Sequence, residues 1–154
     1  MTERPASSPA LTMTRVLDAP RADVFRAWTD PESLREWWGP GDFTCPSAEV
    51  DLRRGGRYRL VMQPPGGPEI VVAGVYQEVD PPSRLVYTWS WEGGPATSEP
   101  DSVVTVEFRD LGNRTEVVVS HGGFPPGHSI SDYESGWAAG FVKVEAHLRR
   151  TSRA

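Results

Sequence analysis

One cysteine, one lysine and no apolar run near the roughly 18 residues that cross a bilayer are what this 154-residue chain most conspicuously lacks in quantity. With Cys45 alone there is no internal disulfide and no cysteine pair to bind zinc or exchange thiols; lacking a neighbouring His or Lys in sequence, it reads as an inert thiol. Without a long apolar segment, no membrane insertion is expected. The 16 basic residues, all arginine except Lys143, are outnumbered by 21 acidic ones, and a net charge of −5 offers no field for phosphates, so nucleic acid is not an expected partner. MTERPASSPALTM has polar and proline residues where a secretory signal needs an apolar core; a cytoplasmic location is expected, with residues 1–11 a flexible tail. The motifs GxGxxG, GxxxxGK and HExxH are absent, and His121, His128 and His147 have no spacing that places two on one local element, so neither metal nor cofactor is expected. GHSIS at 127–131 only begins like a nucleophile elbow, and it precedes a helix instead of following a strand.

What is present changes period along the chain. Thr12 to Leu17 reads as a first strand, and Pro20 then opens a helix carrying Val24, Phe25 and Trp28. Asp30-Pro31-Glu32 restarts the chain in a second short helix, with Asp30 at the N-cap and Leu34, Trp37 and Trp38 on one stripe, until Gly39-Pro40-Gly41 stops it. Six strand-like runs follow near 48–53, 57–63, 69–79, 84–92, 102–109 and 114–121. Arg54-Gly55-Gly56-Arg57 reads as a two-residue hairpin loop and Pro81-Pro82 as a break; such short links make neighbours antiparallel. EGGPATSEPD, 92–101, reads as a mobile loop. Ser131-Asp132-Tyr133-Glu134 has the pattern of a capping box ahead of a long helix with Trp137, Phe141, Val144 and Leu148 on one side. Gly136 and Gly140 inside that helix cost about 1 kcal/mol each against Ala, which implies close approach or open space beside them.

The aromatic residues pose the functional question. In DPPSRLVYTWSW the strand alternation puts Leu85, Tyr87, Trp89 and Trp91 on one face. Tyr58, Leu60 and Met62 alternate likewise, as do Val104, Val106 and Phe108. An ordinary core and a pocket wall both explain so much ring on one face, and the spacing leaves the two equally open. His121 ends the apolar alternation Val117, Val119; burial would keep it neutral, either capping the sheet end through a backbone carbonyl or touching a ligand. Glu49, Asp51 and Arg53 leave on the opposite face, where a surface ion pair is the expected role.

Several pieces carry a resemblance: WWGP at 37–40, EVDLRRGGRYRLVM at 49–62, GVYQEVDPPSRLVYTWSW at 74–91, TEVVVSHGGF at 115–124 and ESGW at 134–137. From about Met13 to Arg150 the chain resembles the bacterial single-domain members of the family of activators of heat-shock-protein-90 ATPase homologues, part of the START-like or SRPBCC superfamily. That resemblance implies an α+β helix-grip fold: a curved antiparallel sheet of about seven strands around a long C-terminal helix, with two short helices after the first strand, as one START-like domain over residues 12–150. It also tips the aromatic face towards a pocket between sheet and helix that binds a small apolar or aromatic molecule. The candidate ligand-binding residues are Trp28 and Trp38 from the short helices, Tyr58, Leu60 and Met62, then Tyr87, Trp89 and Trp91, then Phe108 and His121, and finally Trp137, Gly140 and Phe141. The superfamily includes lipid carriers, plant hormone receptors and polyketide cyclases. A non-catalytic binding module leads; a cyclase or hydratase using His121 and a tyrosine hydroxyl, though without a visible second catalytic partner, is the alternative. A co-chaperone is suggested only by the family's name, and members that act so carry a further N-terminal domain for which this chain has no room. A monomer or a homodimer is expected.

Overall fold

Asp30 sets the first half of the chain. In the computed structural model, which describes residues 9–39, 41–92, 102–123 and 130–152, its carboxylate accepts the Ser33 N–H at 3.0 Å, and Pro31 behind it begins a new helix where the first had ended. The result is α1 (Arg21–Thr29) followed directly by α2 (Pro31–Trp37), preceded by strand β1 (Pro9–Leu17). The β1 strand begins earlier than the Thr12 read from alternation, because the backbone at Pro9 and Leu11 already pairs with Gly122 and His121. Pro20 stands just ahead of α1 as its N-cap, and Val24, Phe25 and Trp28 are buried as their spacing requires.

Six further strands follow, β2 (Thr44–Val50), β3 (Arg57–Gln63), β4 (Ile70–Asp80), β5 (Arg84–Trp91), β6 (Ser102–Asp110) and β7 (Thr115–Gly122), and then helix α3 (Ile130–Ser152). All seven strands form one antiparallel sheet in the order β1-β7-β6-β5-β4-β3-β2, so α1 and α2 carry the chain from one edge of the sheet to the other. This is the α+β helix-grip architecture that the resemblance implied. The alternating residues face inward as read: Tyr58, Leu60 and Met62 from β3, Leu85, Tyr87 and Trp89 from β5, Val104, Val106 and Phe108 from β6, and Val117, Val119 and His121 from β7 are all buried. Helix α3 lies on the concave face against β1, α1 and α2.

Three local expectations fail. Strand β2 spans Thr44–Val50 and not 48–53, and its link to β3 has six residues where RGGR suggested two. The carbonyl of Arg53 accepts the Gly56 N–H at 2.8 Å to make the turn, and Gly55 and Gly56 then bond to the backbone of Tyr76 on β4. Helix α3 already includes Ile130, so Ser131, expected at the N-cap, lies in its first turn. The mobile loop expected over 92–101 and the GHSIS segment fall mostly outside the described residues.

Strand β4 bends where it pairs with β5. Tyr76 pairs with Tyr87 but Glu78 with Val86, leaving Gln77 as an extra residue, a β-bulge that returns Val79 to the inner face opposite Leu85. One step away, the Thr88 hydroxyl accepts the Val75 N–H at 2.9 Å while the Thr88 carbonyl takes the Tyr58 hydroxyl from β3, on the far side of β4. A Cβ on Gly74 would stand 2.0 Å from that carbonyl oxygen. Only glycine admits this approach, so Gly74→Ala should cost about 3 kcal/mol or more and lower the melting temperature by roughly 6–12 °C. Calorimetry checks this; an unchanged melting temperature would show that the bend does not depend on the bare backbone.

Candidate functional site

Four residues of α3, Tyr133, Gly136, Trp137 and Gly140, recur at helical spacing and face β5 and β3. Opposite them stand Trp89 and half-buried Trp91 from β5, Met62 from β3, Trp38 at the end of α2, and Phe43 just before β2. Between the two sets lies a cleft of about 610 Å³, open on one side. Trp37, Gly39, Ile70 and Asp132 complete its described wall, and Asp132 is the one charged side chain among them.

Hydrogen bonds between α3 and the sheet fix the walls of the cleft relative to each other. The Trp91 indole N–H donates to the Tyr133 hydroxyl at 2.9 Å, spanning from β5 to α3. Deeper in, the Trp137 indole N–H donates to His121 Nδ1 at 3.0 Å. On the rim, the chain's single lysine, Lys143, donates from Nζ to the carbonyls of Gly39 at 2.6 Å and Phe43 at 2.9 Å, fixing that loop to α3. Trp38, Trp89 and Trp137 form a ring cluster with centroids 5.7, 5.8 and 6.1 Å apart. Of the two helical glycines, Gly136 borders open space, since a Cβ there would meet nothing within 4 Å, whereas at Gly140 it would touch the Trp37 ring at 3.6 Å.

His121 is sealed behind this wall, fully buried. Burial pushes its pKa down to about 3, so the ring is neutral at pH 7. A tryptophan N–H only donates, hence Nδ1 is the acceptor and the proton sits on Nε2, which donates to the Ser102 hydroxyl at 2.8 Å. The histidine therefore joins two side chains, β6's Ser102 and α3's Trp137, in place of the backbone-carbonyl cap considered from sequence. With both ring nitrogens so engaged, it is poorly placed to shuttle protons.

Of the candidate residues, Trp38, Met62, Trp89, Trp91, Trp137 and Gly140 come together on the cleft. Others lie elsewhere. Trp28, Tyr58, Leu60 and Tyr87 surround a separate void of about 10 Å³, scarcely one water in size. There Tyr58, Tyr76 and Tyr87 pack as a triangle with ring centroids 5.3 to 5.9 Å apart. Burial holds all three hydroxyls well above the ordinary tyrosine pKa, so they stay protonated. Phe108 and Phe141 pack around Trp28 in the core. Trp37, Gly39, Phe43, Ile70, Asp132, Tyr133 and Gly136 were missed; the spacing of Tyr133 and Gly136 with Trp137 and Gly140 was the signal available for two of them. The surface pair read from alternation is present, with Arg53 Nε 3.0 Å from Asp51. Among the described residues no three His, Cys, Asp or Glu side chains come together, and no helix is long and apolar enough to cross a membrane.

Comparison with known proteins bears on family and fold. The family model described as Activator of Hsp90 ATPase homolog 1-like protein matches residues 18–149. A crystal structure of a Chromobacterium violaceum protein is similar at 28% identity with a TM-score of 0.78, covering 88% of this chain and 94% of that one. One from Nitrosomonas europaea is similar at 26% with a TM-score of 0.76, covering 94% and 96%. The AHSA1 protein of Silicibacter pomeroyi, at 24% identity and a TM-score of 0.80 over 92% and 98%, shares the fold. No curated protein matches.

The buried histidine makes stability depend on pH with a definite sign. Its pKa is about 3 when folded, against 6.5 for a free ring. The unfolded chain therefore binds the additional proton, so this contribution is complete above pH 6.5 and is lost as pH falls below it. Between pH 7.5 and 5 the loss should be about 2 kcal/mol in urea unfolding. His121→Gln should be less stable at neutral pH but shed about that much of the pH dependence. Equal pH slopes in the two proteins would mean that His121 is not held neutral.

Proposed function

The chain belongs to the Activator of Hsp90 ATPase homolog 1-like family, and from that premise we propose that it is a non-catalytic binding module, a single START-like domain holding a small, mostly apolar molecule in the cleft between sheet and α3. The observation that carries this reading is the cleft of about 610 Å³ walled by aromatic rings. Small-molecule sites usually have roughly 300–1,000 Å³ and such a lining. The rings explain the apolar preference, and a ligand filling the space would gain about 25 cal/mol for each Å² of apolar surface removed from water.

A cyclase or hydratase would need an acid-base pair facing this space. Its expected base, His121, is tied to Ser102 and Trp137, and no specific contact favours that reading. No contact among the described residues favours a chaperone role.

The ligand should bind with a dissociation constant in the micromolar range or weaker, because the walls offer area more than directed hydrogen bonds. Titrating fatty acids, sterols and aromatic polyketides while following tryptophan emission tests this. A flat response across the panel would defeat the reading.

Gly136 tests the same space from the protein's side. Gly136→Ala should gain about 1 kcal/mol from helix propensity, since its methyl meets nothing. Gly136→Leu should be at least as stable as the parent, with its side chain in the cleft, and bind the best ligand of that panel about tenfold more weakly. If Gly136→Leu melted several degrees lower with binding unchanged, the space beside this glycine would not be the binding site.

A further inference from the structure

If the cleft binds an apolar molecule, as read above, the second space inside the sheet bears on how long that molecule can be. The cleft and the void of about 10 Å³ follow one another along the same inner strand faces. On β3, Leu60 borders the void and Met62 the cleft; on β5, Tyr87 borders the void and Trp89 the cleft. Each pair is two residues apart, so the two spaces are separated by a step of about 7 Å along the strands. Among the described residues a single side chain borders both, that of Trp38.

The Trp38 ring is held at that boundary by packing. Its centroid lies 5.4 Å from that of Trp37 and 5.7 Å from that of Trp89. Its indole N–H is buried without a hydrogen-bond partner, whereas those of Trp37, Trp91 and Trp137 are each bonded. The Trp38 main-chain N–H donates to the Leu34 carbonyl at 2.8 Å, a bond that closes α2 whatever the side chain. Shortening the side chain therefore breaks no hydrogen bond and removes only what stands between the two spaces. We propose that cleft and void are two parts of one ligand cavity divided by Trp38, and that Trp38 is the residue that sets ligand length. Compact apolar molecules that end against its ring are accepted, and longer chains are kept out of the part lined by Tyr58, Tyr76 and Tyr87.

Straight-chain primary alcohols from hexanol to dodecanol test this by titration calorimetry. Each methylene that enters the cavity should tighten binding about fourfold. On the parent that gain should stop at the length at which the chain meets Trp38. In Trp38→Ala it should continue through longer homologues, so that dodecanol binds at least about tenfold more tightly than to the parent while hexanol binds no more tightly. Leu60→Ala enlarges the void and does not touch the cleft, so it should leave the series unchanged while Trp38 is in place and extend it further when combined with Trp38→Ala. Should Trp38→Ala fail to fold, Trp38→Leu keeps more of the packing and should give a smaller shift of the same sign. The same stopping length in the parent and a folded Trp38 variant, or a Leu60→Ala protein that accepts longer chains by itself, would overturn the division by Trp38 and leave the apolar binding module standing. No heat from any alcohol with folded parent or folded variant would defeat the binding reading itself.

Discussion

One helix cannot cover seven strands. Strands lie about 4.8 Å apart, so the sheet is about 29 Å wide, whereas a helix with its side chains measures about 10–12 Å. A flat sheet of this width would leave most of its apolar face in water. Two features meet the difference here: the sheet curls round α3, and α1 with α2 fill part of the remaining width while carrying the chain between the two edges. The width still uncovered, beside Met62, Trp89 and Trp91, is the cleft. Its position follows from the mismatch between helix and sheet, and its walls from which residues happen to face it.

The curl has its own local cause. Gly74, the extra residue Gln77 and the crossed bonds of Thr88 to Val75 and Tyr58 lie together on β4 and β5. There Gly55 and Gly56, from the β2–β3 link, also bond to the backbone of Tyr76. The bend brings Tyr58, Tyr76 and Tyr87 into one triangle and closes the space that the alternation of β3 and β5 left open to interpretation. Along β5, Tyr87 is therefore core while Trp89 and Trp91, two and four residues on, reach the cleft. The run of rings on one face of β5 serves both purposes, divided by position along the strand.

That division marks what could be read from sequence. A period of two assigns a residue to a face, so Tyr87, Trp89, Val104, Val106 and His121 were placed on the correct side of their strands. It does not say how far along the strand the helix extends, which is why Trp28, Tyr58, Leu60, Phe108 and Phe141 were grouped with residues that reach the cleft. Strand β2 was misplaced because it is an edge strand interrupted by Pro46, with a register shift between Thr44 and Ser47, and so has no clean alternation. RGGR resembled a tight turn because two glycines usually make one; here a Cβ on Gly56 would stand 2.1 Å from the Asp51 carbonyl oxygen, so this glycine serves close packing. Phe43, just before β2, belongs to no periodic face and gave no signal, whereas Ile70 shares the face of Val72 at the start of β4 and was passed over.

The polar atoms around the cleft are used by the protein itself. Trp91 and Trp137 spend their indole N–H groups on holding α3 to the sheet, Trp37 spends its own on the Ala27 carbonyl, and Lys143 on the rim. Trp38 and Trp89 leave theirs unsatisfied, at a cost of about 1–3 kcal/mol each. Phenylalanine would avoid that cost, so what the two indoles contribute must be area and shape: with Trp137 they form a continuous ring surface on the wall. A wall with three of its five indole donors engaged within the protein and the other two buried does little to select a ligand by hydrogen-bond geometry. It discriminates by fit to the rings, which acts over a range of related molecules more readily than on one.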